Sequence, residues 1–151
     1  MAGITITLDS PELEAARARI SELVGFGSAQ LMDDVGALLE SSTQDRIATT
    51  KRGPNGEVWP AWSPPYAKKR KARHSLLVSE GDLRASYQNY SDGEAAIVGS
   101  PLIYAAIHHM GSAKASGRGS GVPARPAAGV SPQDAEDIGN IVAAHLEALL
   151  S

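Results

Sequence analysis

The sequence predicts a small α+β domain: a small antiparallel sheet packed by N- and C-terminal helices, with two long extended loops. Three observations predict it. Apolar residues recur at three- and four-residue spacing near both ends of the chain. Two alternating runs in the middle flank Asp92-Gly93, a hairpin signal. Between these elements the chain is broken by clusters of Pro and Gly. At 151 residues the chain can bury one core but not two, so residues 1–151 read as a single domain.

The first element, Gly3 to Leu8, alternates apolar and β-branched polar residues and reads as a half-buried strand. Ser10-Pro11-Glu12 then starts a helix, with a hydroxyl cap, a proline in the first turn and an acid near the positive dipole end. Leu13, Ala16, Ile20, Leu23 and Val24 share one face of it. After a turn at Gly25-Phe26-Gly27, Ser28 caps a longer helix with Leu31, Val35, Leu38 and Leu39 inward. Asp45, Arg46 and Lys51 sit near its end, and Gly53-Pro54-Asn55-Gly56 terminates it.

The first excursion, about residues 52–76, concentrates Trp59, Trp62, Tyr66 and several prolines, followed by Lys68, Lys69, Arg70, Lys71 and Arg73. Leu76-Leu77-Val78 anchors it, and Ser79-Glu80-Gly81-Asp82-Leu83 turns into a helical turn ending near Ser86. Strands are expected at Ala85–Tyr90 and Glu94–Gly99. Beyond Pro101, the spacing of Tyr104, Ile107 and His108 predicts a helix stopped by Gly111 in a left-handed cap. The second excursion, about residues 112–125, is Gly/Ser-rich and carries Lys114 and Arg118. Pro123 and Pro126 force Val122 and Arg125 toward extended backbone, so this stretch re-enters the fold as a straight rod. A further strand is expected at Pro126–Val130. Ser131-Pro132 repeats the helix start, and Ile138, Ile141, Val142, Leu146 and Leu149 make the last helix amphipathic.

Composition excludes several functions. A net charge of −3 argues against a dedicated nucleic-acid binder. With no cysteine, disulfides, thiolate catalysis and cysteine zinc sites are absent together. No signal pattern and no run of ~20 apolar residues occurs, which predicts a cytoplasmic product without a membrane partner. No nucleophile–base pair, phosphate loop or metalloprotease spacing can be named, so the expectation is a non-enzymatic protein with no cofactor and no metal. The adjacent His108 and His109 point about 100° apart on a helix and cannot readily share one ion. His108 reads instead as a buried polar anchor, hydrogen-bonded to backbone, and His145 as a rim residue.

Long loops inside a compact domain usually carry function or partners, so the two excursions read as contact arms. The five charges of Lys68–Arg73 form either a solvated face or a docking surface for an acidic partner or for DNA. Trp59, Trp62 and Tyr66 read as a small core pinning the loop, as a subunit anchor, or as both. Arg125, between prolines, is a candidate for a fixed ion pair between subunits, with a plain surface arginine as the alternative.

Four pieces occur in order: Gly56-x-x-Trp59, Ser79-Glu-Gly-Asp-Leu83-x-x-Ser86, Tyr104-Ala-x-Ile-His108-x-x-Gly111 and Val122-Pro-Ala-Arg-Pro126. Together they resemble the phage virion morphogenesis family, the Mu-like tail completion proteins, along almost the whole chain. The last two motifs are the specific ones. His109 stands where that family usually has glutamine, and Ala127 where it has an aromatic. The resemblance implies a small tail-terminator or neck-like subunit forming a ring, six-fold by expectation, at the head–tail junction. Its implied partners are further copies of itself, the tail tube protein, the head–tail connector or adaptor, and a sheath terminal ring, with non-specific contact to DNA in the channel. The implied location is the virion neck, reached from the host cytoplasm during assembly. The rivals are a head-side connector of the neck and a basic-loop DNA-binding protein.

Overall fold

Helix α1, Ser28–Asp45, places Val35, Gly36 and Thr43 on its buried side. It then widens into a π-helical turn, Arg46–Thr50, that sinks Arg46 and Ile47. The turn closes where the Lys51 N–H donates to the Arg46 carbonyl at 3.0 Å, with Lys51 itself at φ 56°. These features belong to a computed structural model that describes residues 28–113 and 121–151, with Pro11, Glu14, Ala15 and Ala18 before them. Those four early positions are helical, within the first expected helix. The expected strand Gly3–Leu8 and the turn at Gly25–Gly27 lie outside the described residues.

Four helices follow α1: α2 (Pro64–Ala67), α3 (Asp82–Ser86), α4 (Ile103–Met110) and α5 (Pro132–Leu150). Between α3 and α4, β1 (Gln88–Asn89) pairs antiparallel with β2 (Val98–Gly99), Gln88 opposite Gly99 and Asn89 opposite Val98. This is a small α+β fold. Its core gathers Ile47, Trp59, Leu83, Tyr87, Ala105 and Ala127, with Leu76, Leu77, Val78, Val98, Leu102 and Ala128 packed around them.

The sheet departs from expectation in two ways. The strands are shorter than Ala85–Tyr90 and Glu94–Gly99, because Ala85 and Ser86 belong to α3 and Asp92 Oδ1 accepts from the N–H groups of Glu94 and Ala95. Beyond the two strands the Tyr90 N–H still donates to Ile97 O at 2.8 Å and the Asp92 N–H to Ala95 O at 3.0 Å, so the register of the pair continues to a tight turn at Gly93-Glu94. The strand expected at Pro126–Val130 does not form. Its carbonyls are taken by side chains instead: Trp59 Nε1 donates to Pro126 O at 3.0 Å, and Arg46 donates to Ala127 O and Gly129 O at 2.8 and 2.9 Å.

The first excursion is likewise no free arm. Trp59 is 3% exposed in the core, α2 lies within the segment, and Arg52 and Val58 form an antiparallel bridge. The Lys51 ammonium donates to Ile47 O, to Ser75 Oγ at 2.9 Å and to Leu76 O at 3.0 Å, clamping the segment's far end to the end of the π turn. Burial lowers the pKa of that ammonium. Of the second excursion, residues 114–120, including Lys114 and Arg118, lie outside the described residues.

Helix α5 begins as its Ser-Pro start predicts. Ser131 Oγ accepts from the Asp134 N–H at 3.1 Å and Asp134 Oδ2 accepts from the Ser131 N–H at 2.8 Å, a complete capping box with Pro132 in the first turn. Asp134 also pairs with Arg46 and accepts from Ser42 Oγ at 2.6 Å, tying α5 to α1 through a buried charge network. Further along, His145 Nε2 meets Asp34 Oδ2 at 2.7 Å, so His145 links the two helices. Among the described residues, no helix is long and apolar enough to cross a membrane.

Candidate interaction site

Three of the four sequence motifs converge on one cleft of about 670 Å³, while Trp59 of the first lies in the core. Trp62, Tyr66 and Arg70 come from the α2 region, residues 77–81 from the turn before α3, Asp82 and Leu83 from α3 itself, Tyr104 and His108 from α4, and Val122, Pro123 and Arg125 from the re-entrant rod. Such a volume is typical of ligand and peptide clefts.

Arg70 builds one wall. Its guanidinium carbon sits 4.4 Å from the Trp62 ring centroid and 5.1 Å from that of Tyr66, and the two rings meet edge to face at 6.2 Å. Arg70 also donates to Tyr66 Oη at 2.8 Å and to the carbonyls of Ser75 and Val78 at 3.2 Å. Within the basic run, then, Arg70 is folded inward as the cation of an aromatic stack. Arg73 is exposed and grips Glu80 with bonds of 2.8 and 2.9 Å, while Lys68, Lys69 and Lys71 remain exposed.

Arg125 also lines the cleft. It is 5% exposed and donates from Nε to Pro60 O at 2.8 Å and from Nη2 to Ala61 O at 3.2 Å. Its guanidinium is therefore engaged inside its own chain. Its backbone N–H donates to His108 O at 2.7 Å, locking the rod to α4. Burial, with a smaller contribution from the charge of nearby Arg70, lowers its pKa.

His108 corrects one expectation. Its carbonyl, and not its ring, anchors the rod. The ring packs edge to face on Tyr104 at 6.2 Å, and its buried Nδ1 has no hydrogen-bond partner among the described residues. Burial and the neighbouring Arg125 hold the imidazole below its ordinary pKa.

Gly111 closes α4 at φ 76° and ψ 174°, a positive φ with an extended ψ in place of the left-handed helical cap. The Ser112 N–H donates to Val122 O at 2.8 Å just beyond it. A Cβ on Gly111 would lie 2.9 Å from Ala124 N and 3.0 Å from Val122 O. Gly111→Ala is therefore expected to destabilise the protein by about 1–3 kcal/mol. Gly139→Ala, inside α5 with no described residue within 4 Å of the added Cβ, is expected to stabilise it by about 0.5–1 kcal/mol. Urea titrations of the two variants read the opposite signs directly.

Sequence reasoning missed the second face of α4. Ala105 is buried, Tyr104 and His108 line the cleft, and yet Ile103 is 87% and Met110 73% exposed. The signal was available, since Ile103, Ile107 and Met110 stand at i, i+4 and i+7. The residues 77–83 lining the cleft were read only as an anchor and a turn, because their role depends on elements distant in sequence. Among the described residues no cluster of three or more His, Asp and Glu could hold a metal.

The chain matches the phage virion morphogenesis family over residues 8–147. It belongs to that family. Two relatives are similar along most of their length. The putative capsid assembly protein G of Escherichia phage Mu is 33% identical over 119 residues, covering 76% of each chain. The Mu-like prophage FluMu G protein 2 of Haemophilus influenzae is 32% identical over 131 residues, covering 86% of each. No solved structure matches the chain significantly. As a member of the phage virion morphogenesis family, the protein has a structural or assembly role in building the phage particle.

Proposed function

We propose that this protein is a tail terminator or tail completion subunit that forms a ring at the head–tail junction, capping the tail tube and joining it to the head connector. Its work is geometric and not catalytic: it presents surfaces to its own copies and to the components above and below. The observation that carries the reading is α4. A helix apolar on most of its surface belongs inside a packed body, yet Ile103, Ile107 and Met110 are exposed here at 87%, 41% and 73%. That uncovered face is what a subunit of an assembly offers.

The relative in phage Mu is described as a putative capsid assembly protein, which favours a second reading: a head-side connector of the neck with the same fold. Electron microscopy of lysates from a phage lacking this gene separates the two. Filled heads beside unjoined or overlong tails are expected. Leaking heads beside normal tails would move the protein to the head side, and infectious particles of normal form would overturn both readings.

A further inference from the structure

We infer that the cleft receives the exposed ridge Leu146–Glu147–Leu150 of α5 from a second copy of this chain, so that subunits join head to tail. This inference rests on the ring reading and names its contact.

The cleft asks for an occupant with both apolar and anionic character. Trp62, Val78, Leu83 and Tyr104 give it apolar walls. Arg70 and Arg125 bring two guanidinium groups to the same cleft, with the His108 ring beside them. Arg70 Nε and His108 Nδ1 are buried and have no hydrogen-bond partner among the described residues. A carboxylate offsets the two positive charges that Arg70 and Arg125 bring to the cleft.

The chain itself carries the complementary element. Leu146 and Leu150 are 44% and 72% exposed, four residues apart on one ridge of α5, with exposed Glu147 beside them. Helix α5 contains Asp134, Glu136, Asp137 and Glu147 and no Lys or Arg. Two leucines for the aromatic wall and one carboxylate for the two guanidinium groups match the cleft in both kinds of chemistry. Within one chain α5 packs on α1 and contributes no residue to the cleft, so the ridge meets a cleft on another copy. A contact between two different patches repeats around a ring when the rotation closes.

The test uses two variants of the full chain that leave the core untouched. Ser79→Trp plugs the cleft from its exposed lip, with Ser63→Trp as a second plug should the first melt below the wild type. Leu146→Ser with Leu150→Ser removes the ridge. Sedimentation equilibrium is expected to find wild-type oligomers, a monomer for each variant alone, and a one-to-one dimer on mixing them. The mixture stops at two because only one intact cleft and one intact ridge remain. Wild-type oligomers that persist in both variants would overturn the inference while leaving the ring reading in place. A wild type monomeric at every concentration would overturn it too, with the neck role then judged by the phage lysates alone.

Discussion

Asp134→Ala is expected to destabilise the protein by about 3–5 kcal/mol, the typical loss when one partner of a buried ion pair is removed. Arg46 is 6% and Asp134 4% exposed. Without the carboxylate, Arg46 keeps its bonds to Ala127 O, Gly129 O and Ser42 Oγ, but its charge stays buried with nothing to neutralise it. The substitution also removes half of the capping box, worth about 1 kcal/mol of the same total. Replacing both partners together, as Arg46→Met with Asp134→Leu, is expected to recover part of the loss, because an apolar pair leaves no stranded charge. Urea unfolding of the two single variants and the double variant measures the coupling.

The pH dependence has a definite sign. Burial raises the Asp134 carboxyl pKa, but hydrogen bonds from Ser42 and Ser131, with the charge of Arg46, more than offset it and hold it below 3.8. The unfolded chain therefore binds this proton first. Its contribution to stability is present above about pH 3.8 and is lost as pH falls through the lowered native value. Thermal melting between pH 2 and 5 is expected to show an acid limb that Asp134→Asn flattens.

Trp59→Ala is expected to cost about 3–5 kcal/mol, the range for emptying a buried aromatic site. Trp59 packs in the core with Ile47, Leu83, Tyr87, Ala105 and Ala127, and its indole holds Pro126 O at 3.0 Å. Trp59→Phe separates the two contributions. It keeps most of the packing and leaves Pro126 O without its donor, a loss of about 1–3 kcal/mol. Circular dichroism in urea follows both, since the substitution alters the fluorescence itself. A value near zero for Trp59→Ala would return Trp59 to the loop surface and dissolve the account of the first excursion.

Much of the fold was legible because its signals are local. Ser131-Pro132 announced α5 through groups within three residues of one another, and Tyr104, Ile107 and His108 announced α4 through one helical turn. The errors fell where a side chain reaches across the chain. Residues 126–130 look like a strand until Trp59 and Arg46, 67 and 81 residues away, take their carbonyls. Arg46 reads as a charge near a helix end, although its register beside Val35 and Thr43 on the buried face of α1 was a usable hint. The cleft was legible only as three separate motifs. Their convergence depends on the Arg125 N–H meeting His108 O and on Arg70 folding between two aromatic rings, and no spacing encodes either.

The Arg46–Asp134 bond joins residues 88 apart, and this separation governs when the chain becomes competent. During synthesis α1 emerges early with a cation that belongs in the interior, and its counter-charge leaves the ribosome only with the start of α5. Until then neither the segment carrying Ala127 and Gly129 nor the last helix can settle against α1. A chain cut short before Asp134 thus keeps an uncompensated cation at the end of α1.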